Sequence, residues 1–318
     1  MTLDVLTFGE AMLRLSPPIG VPLARATNLD LHVAGAEANV AVALSSLGRS
    51  VTWVSRLPAN DLGRMVSRDL AAGGVDISHV SSQESGRLGT YFVELGLGPK
   101  RVSVAYDRQG STAAAMSTDD LPLQEMARAR LIHLTGITPA LSRSCREATE
   151  AAATAARDSE SLLSVDINYR AQLWSAGDAR ECLDRIAAGA DLVVCTAEDA
   201  RDVFGLEGDS AEVAASLADR LGSSYTVVTN GADGAVCWHN ADAIRVAATP
   251  TQIVDRLGAG DAFTAGVIDG LLDGDIGEGL RRGSVLAAVA LATRGDQVGV
   301  TRAELTQLLE PGGRRLNR

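Results

Sequence analysis

Segments that read as short strands alternate with segments that read as helices along most of this 318-residue chain, and that alternation limits the fold more than any single motif. Leu131 to Leu134, Leu162 to Asp166, Leu192 to Cys195 and Tyr225 to Thr229 are mostly apolar runs of strand length. Ser142 to Ala156, Asp178 to Ala188 and Glu198 to Phe204 lie between them and carry helical spacing. Further strands are predicted over Leu3 to Phe8, residues 11–16 and Val51 to Val54, with a hairpin over Ala235 to His239 and Ala243 to Ala247. Helices are predicted from the glycine turn at Gly35 to Leu47, over Asp61 to Ala72, and over 262–272, 277–293 and 301–309. Strands alternating with helices imply a mainly parallel sheet covered on both faces, with ligands beyond the carboxyl ends of its strands. From about 80 to 112 the pattern breaks. Thr90 to Leu95 and Arg101 to Tyr106 read as paired strands around a Gly-Pro loop, a small β excursion that 11–33 is expected to join.

Hydrophobic residues make up 46% of the chain, enough for a full core, and aromatics only 3%, so that core must be aliphatic and alanine-rich. A net charge of −11 argues against nucleic acid or an anionic membrane as the main partner, and makes an arginine in a pocket more informative. Cys145, Cys182, Cys195 and Cys237 form no C-x-x-C pair and read as free buried thiols of a reducing cytoplasm. His32, His79, His133 and His239 show no metal-ligand spacing. With no basic-then-apolar leader and no membrane-spanning apolar run, the expectation is a soluble, cytosolic protein. Lys100, preceded by Pro99, is the only lysine, so no G-x-x-x-x-G-K-[S/T] loop can be written and a P-loop nucleoside triphosphatase is excluded.

Polar and glycine clusters close the predicted strands: Thr135-Gly136, Asp166/Asn168/Arg170, Thr196/Glu198 and Asn230-Gly231. The sharpest cluster is Gly258-Ala259-Gly260-Asp261, between an extended run from Ile244 to Val254 and a small-residue apolar helix. Glycines at a helix start let an anion approach the first amides, which have no partner inside the helix. Asp261 in that first turn is either a carboxylate suited to the helix dipole or a general base beside an oxyanion nest. Glu37 and Asn39 open another helix and can be read as its caps. Arg108 and Arg170 suit a planar carboxylate, and each can equally be an internal ion pair or a surface residue. Tyr91 and Tyr106 offer an apolar face with a hydroxyl, or simple sheet packing. The Asn230 to Gly234 stretch is a β-turn or a floor beneath a nucleotide, and Asp296 either ends a helix stop or reaches the site.

Gly258-Ala259-Gly260-Asp261-Ala262-Phe263 resembles the signature of the ribokinase-like (PfkB-type) carbohydrate kinases, and Gly35 to Asn39 resembles their second sugar-contacting motif. The order of elements agrees over about residues 3–310. The 2-keto-3-deoxygluconate kinases are the most similar branch, through Tyr106-Asp107-Arg108, Gly136 to Leu141, Asp166 to Arg170 with Leu173-Trp174, and Arg294-Gly295-Asp296. The resemblance implies a three-layer α/β/α domain over 1–310, a β-sheet lid from about 11–33 and 86–112, and a frayed tail over 311–318. It implies ATP as phosphoryl donor with Mg2+, and a sugar acid phosphorylated at its terminal hydroxyl. Asp261 would take the hydroxyl proton, and the amides of Gly258, Ala259 and Gly260 would face the transferring phosphoryl group. Gly35, Ala36, Asn39, Tyr91, Tyr106, Arg108, Ile137, Arg170 and Asp296 would hold the sugar acid. Asn168, Thr229, Gly231, Gly234, Gly258 and Gly260 would line the ATP site. The lid would pair two copies in a homodimer or higher homo-oligomer. Arg256-Leu257 departs from the small polar pair usual before the glycine, and Thr196 and Asp199 replace the usual magnesium-organising asparagine and glutamate, leaving the metal ligands open between Glu198 and Asp199. The competing readings are a neutral-sugar kinase for fructose or ribose, and a non-catalytic binding regulator on the same fold.

Overall fold

Hydrophobic alternation along each central strand feeds two separate cores, one on either face of a nine-stranded sheet. The computed structural model describes residues 3–96 and 102–310. Lys100, Arg101, the Gly-Pro loop before them and the tail expected to fray lie outside the described residues. In chain order the strands are β1 (Val5–Phe8), β2 (Met12–Ser16), β3 (Asp30–Ala34), β4 (Val51–Pro58), β5 (Val80–Gln83), β6 (Thr90–Glu94), β7 (Ser103–Asp107), β8 (Leu131–Thr135), β9 (Leu162–Asp166), β10 (Leu192–Thr196), β11 (Tyr225–Thr229), β12 (Ala235–His239) and β13 (Asp242–Val246). The helices are α1 (Ala36–Ser46), α2 (Asp61–Ala72), α3 (Leu123–Met126), α4 (Thr138–Leu141), α5 (Arg143–Arg157), α6 (Ala176–Ile186), α7 (Ala197–Phe204), α8 (Ser210–Leu221), α9 (Ala259–Leu272), α10 (Ile276–Ala292) and α11 (Arg302–Leu309).

The large sheet runs β13-β12-β11-β10-β9-β8-β1-β4-β5. From β11 to β5 all neighbours are parallel, and β12 and β13 close the far edge as an antiparallel hairpin. Val193 and Cys195 pack with α5 to α8, while Leu192 and Val194, one residue out of phase, pack with α1 and α9. Alanines supply much of the helix side of both cores, including Ala148, Ala152 and Ala153 on α5 and Ala38, Ala41 and Ala43 on α1. All four cysteines are buried and free. Among the described residues no helix is long and apolar enough to cross a membrane.

A second sheet, ordered β3-β2-β6-β7, stands apart. The chain enters it after β1 and returns through Gly35 into α1. It enters again after β5 and returns before β8. β2 pairs β3 antiparallel and β6 parallel, and β6 pairs β7 antiparallel with Tyr91 opposite Tyr106.

Several local features differ from the sequence pattern. β5 and α8 were not predicted. The extended run expected to reach Val254 ends as strand at Val246, and 247–258 form neither strand nor helix. The following helix begins at Ala259, because Gly258 takes a left-handed conformation (φ 78°) that caps it.

Candidate active site

The Gly258 turn leaves little choice of residue. Besides its positive φ, a Cβ on Gly258 would overlap the carbonyl oxygen of Asp296. Gly260 differs: its backbone is helical and a Cβ there would meet nothing within 4 Å. The fold does not require glycine at 260, and its absent side chain leaves open space over the helix end. The first helical bond of α9 runs from Ala262 N–H to Gly258 C=O at 2.9 Å. The amides of Ala259, Gly260 and Asp261 precede it and lie at the positive end of a 14-residue helix, a geometry that accepts an anion.

Asp261 is half-buried beside these amides, and its Oδ2 accepts a 2.7 Å hydrogen bond from Asn39 Nδ2. Burial pushes its carboxyl up to about 6, against the opposing pull of the Asn39 bond and the Arg170 charge. Asp166, at the end of β9, is raised further, to about 8, by burial and then by the charges of Asp261 and Asp199. Its Oδ2 accepts from Thr264 Oγ1 at 3.2 Å. Asp199, near the start of α7, is also raised by burial. Asn168 sits between β9 and Arg170 with φ 38°, its N–H held by Asp166 Oδ1 at 3.0 Å. Among the described residues Arg170 forms no ion pair. It is exposed, and its Nη1 donates to the Tyr169 carbonyl at 3.0 Å.

The helix start at Gly35 is only partly what capping predicts. Asn39 Oδ1 does accept from Gly35 N–H at 3.4 Å, yet its amide group reaches across to Asp261. Glu37 caps nothing. It is buried against Gly9 and accepts from Thr135 Oγ1 at 2.7 Å and Thr138 Oγ1 at 2.6 Å. Burial raises its carboxyl. Thr135 also receives the N–H of Ile137 at 3.1 Å. A Cβ on Gly35 would run into the Glu10 carbonyl oxygen, and Ala36 is the first residue of α1.

The small sheet supplies the aromatic and basic residues. Tyr91 and Tyr106 stack with ring centroids 5.5 Å apart. The Tyr91 hydroxyl, however, is taken up by Asp296 Oδ2 at 2.6 Å, and both residues are buried, at 3% and 7% exposure. They face one another where the small sheet meets the Gly258 turn. Arg108 lies 5.7 Å over the Tyr106 ring, but its Nε donates to Glu10 Oε2 at 2.7 Å and its Nη2 is ion-paired to the same carboxylate. Its charge is therefore already matched by a buried acid, which Ser111 also hydrogen-bonds. Arg108, Tyr106 and Arg170 nonetheless line one cavity of about 650 Å³ together with Gln109, Leu141 and Gln172.

Asn230 to Gly234 is a tight connection from β11 to β12, closed by Asn230 N–H to Gly234 C=O at 2.9 Å. Gly231 (φ 52°) and Gly234 (φ 90°) are glycines that this turn itself needs, and Thr229 pairs with Ala235 at its base. A separate cavity of about 450 Å³ lies along Thr249-Pro250-Thr251, walled by Val285, Val289 and Leu308, on the segment leading to the Gly258 turn. Among the described residues no group of three or more His, Cys, Asp or Glu is arranged to hold a metal ion.

Glu10, Arg14 and Asp255 are the site residues that the sequence did not single out. Arg14 is fully buried, with Nη1 to Asp296 Oδ1 at 2.7 Å and Nη2 to Asp255 Oδ2 at 2.5 Å. Its only sequence signal is a charge inside the apolar alternation of Met12-Leu13-Arg14-Leu15.

A carboxylate beside an amide nest lies at the strand ends of a parallel α/β sheet with a second small sheet, an arrangement suited to group transfer. Residues 2–302 match the pfkB family carbohydrate kinase description, and the chain belongs to that family. It is 36% identical over 319 residues to the 2-dehydro-3-deoxygalactonokinase of Haloferax volcanii, covering 100% of both chains. Among solved structures it resembles a PfkB protein from Polaromonas sp. JS666 (TM-score 0.84, 36% identity, 96% of this chain and 99% of that one). It also resembles the 2-dehydro-3-deoxygluconokinase of Thermotoga maritima (TM-score 0.91, 28% identity, 97% and 98%). The protein is thus a ribokinase-like phosphotransferase with an alcohol group as acceptor.

Proposed function

We infer that this kinase uses ATP to phosphorylate the terminal hydroxyl of 2-keto-3-deoxygluconate, giving 2-keto-3-deoxy-6-phosphogluconate. The observation that carries the acid part of this reading is Arg170. It is an exposed guanidinium without an ion pair among the described residues, lining the 650 Å³ cavity in a chain of net charge −11. A neutral sugar gives that cation nothing to pair with, whereas a carboxylate takes two parallel hydrogen bonds from it. Relatives bearing the names 2-dehydro-3-deoxygalactonokinase and 2-dehydro-3-deoxygluconokinase support the same substrate class.

In this reading Asp261 accepts the hydroxyl proton. Its raised carboxyl suits a base that must be ionised near neutral pH and still bind a proton. The amides of Ala259, Gly260 and Asp261 stabilise charge on the phosphoryl group in transfer. Asn39 holds Asp261 in place through its 2.7 Å bond. The nucleotide base occupies the apolar cavity along Thr249 to Thr251, so that the phosphates point to the turn. Magnesium fits the acid floor: Asp166 and Asp199 are both raised by burial, a strain that a cation relieves, and no three-ligand protein cage is present among the described residues. Those two residues would hold it, and bound magnesium would neutralise phosphate charge. The small sheet acts as a lid that excludes water. Its edge strand β3 exposes Leu31 for pairing with a second copy.

The test is an ADP-release screen over 2-keto-3-deoxygluconate, its galactonate epimer, fructose and ribose. The highest kcat/KM is expected for 2-keto-3-deoxygluconate. A higher value for the epimer moves the substrate by one hydroxyl, and a higher value for fructose or ribose overturns the acid reading. Arg170→Ala is expected to raise KM for the sugar acid by about tenfold or more while changing KM for ATP by less than about threefold. Equal effects on both would remove Arg170 from the carboxylate.

A further inference from the structure

The Gly258 turn is attached to the small sheet at three points, two of which carry charge. Arg14, central on β2, is fully buried and divides its guanidinium among Ser16 Oγ (2.9 Å), Asp296 Oδ1 (2.7 Å) and Asp255 Oδ2 (2.5 Å). Asp255 in turn accepts from Leu257 N–H at 3.2 Å and Gly295 N–H at 3.3 Å. It therefore sets the backbone just before the turn. Asp296, whose carbonyl is packed against Gly258, is held from the small sheet a second time by the Tyr91 hydroxyl on β6. The third attachment is apolar. The Leu257 side chain packs into a cluster of Met12, Ala34, Tyr91 and Val93, all from the small sheet. Arg294 adds an outer clasp, with Nη2 to the Pro17 carbonyl at 2.6 Å and Nη1 to Asp30 at 2.7 Å.

A folded protein has no need of this arrangement for stability alone. A buried arginine facing two carboxylates leaves one negative charge unmatched, and such clusters contribute little net stability against an apolar packing of the same volume. What it does supply is register. A planar guanidinium with three fixed acceptors allows one relative placement of β2, the Asp255 segment and Asp296. The same small sheet carries Tyr106 and Arg108 into the 650 Å³ cavity. A shift of β2 and β6 must therefore move either the Asp255 to Gly258 backbone or break these bonds.

We propose that Arg14 is a positioning residue for phosphoryl transfer: it locks the amides of Ala259 to Asp261 to the position of the small sheet, so that the amide nest aligns when an acceptor draws that sheet over the cleft. This rests on the sugar-kinase reading of the cleft, though not on the identity of the acid. Leu257, which departs from the polar residue usual in the signature, becomes part of the same device, since it tethers the turn to the sheet by apolar contact.

The test compares wild type with Arg14→Lys, which keeps the charge but cannot span three acceptors from one ammonium group, and with Asp255→Asn, which keeps the shape and the Leu257 bond. The acceptor is 2-keto-3-deoxygluconate, or whichever compound the ADP-release screen selects, so a wrong substrate shows up as a wild-type failure in that screen and leaves this comparison intact. Both variants are expected to lose about 10- to 100-fold in kcat, the scale of a misplaced oxyanion donor, while acceptor KM changes by less than about threefold. A second readout is coupling. In wild type, saturating acceptor should tighten binding of a non-hydrolysable ATP analogue by about fivefold or more, measured by calorimetry, and in both variants that factor should fall towards one. A merely structural Arg14 would lower the melting temperature and leave kcat and coupling of the folded enzyme unchanged. That result overturns the proposal, as does wild-type coupling below about twofold. Should Arg14→Lys fail to fold, Asp255→Asn decides by the same two measurements.

Discussion

Asp261 and Asp269 lie on the same helix, about two turns apart, and their surroundings are opposite. Asp269 is fully buried and receives three arginines: Arg49 Nε at 2.8 Å, Arg282 Nη1 at 2.6 Å and Arg302 Nη1 at 2.5 Å. Those guanidiniums outweigh the burial and hold its carboxyl below the usual range. Asp261 receives one neutral amide, from Asn39, and burial carries it up to about 6. One aspartate is made a permanent anion that clamps α9 to α10, α11 and the loop after α1. The other keeps a proton affinity that a reaction can use. An aspartate's place on a helix does not tell which it is; the number of cations the fold brings to it does.

The largest effect expected is on Asp261→Asn. Turnover should fall by roughly three orders of magnitude, since the proton acceptor is gone, while the melting temperature stays level or rises because a poorly solvated charge has been removed. Steady-state kinetics and a thermal melt on one preparation check both halves, and wild-type turnover would end the base assignment. Asp269→Asn should do the reverse. Removing the acid from three arginines is expected to cost about 2–4 kcal/mol, less than a fully enclosed pair because Arg302 is part exposed, while kcat/KM well below the melting point stays within about twofold. A loss of activity without a loss of stability would erase the distinction between the two residues.

Gly260→Ala sharpens the comparison inside the turn. Nothing within 4 Å resists a methyl group there, so the helix should gain roughly 0.5–1 kcal/mol, yet turnover should fall about tenfold or more if a phosphoryl group must approach that space. Unaltered kinetics would separate the amide nest from the reaction. The remaining effects concern pH. With Asp261 near 6, kcat/KM should decline about tenfold per unit below that value. Stability should follow the sign of each shift. Asp261 has a raised carboxyl, so its destabilising effect grows as pH rises from its unfolded value near 3.8 and is complete above about 6; the melting advantage of Asp261→Asn should hold from pH 7 to about 6 and shrink from there towards 4. Asp269 has a lowered carboxyl, so its contribution is present above its unfolded value near 3.8 and is lost as pH falls through its lower folded value.

Much of the fold is legible in the chain. Strand positions from β8 to β11 follow from short apolar runs, and α2 follows from its spacing and its Asn60 cap. The glycine turn and Asp261 stand out because glycine and a carboxylate at a helix start carry a local mechanism. α8 lacks a run of large apolar residues, and its local signal is the capping box of Asp209 and Glu212 ahead of Val213, Ala214 and Leu217. β5 is short and polar, and only its partner β4 makes it a strand.

The site is legible in types and not in partners. Arg108 and Arg170 look alike in sequence, one beside Tyr106 and the other beside Tyr169. The fold sets Glu10, 98 positions away, against the first and leaves the second without an ion pair among the described residues. Tyr91 and Asp296 each read as a ligand contact from sequence, and the structure brings them within 2.6 Å of each other across 205 positions, a pairing no local rule announces. Arg14 meets its two acids across 241 and 282 positions. Local rules, periodicity, caps and glycine turns, act over a few residues, and so the chain by itself determined the layers, the turn and the candidate base. Which charges are matched and which stay free is a sum over neighbours that only long-range packing brings together, and that the tertiary structure alone decided.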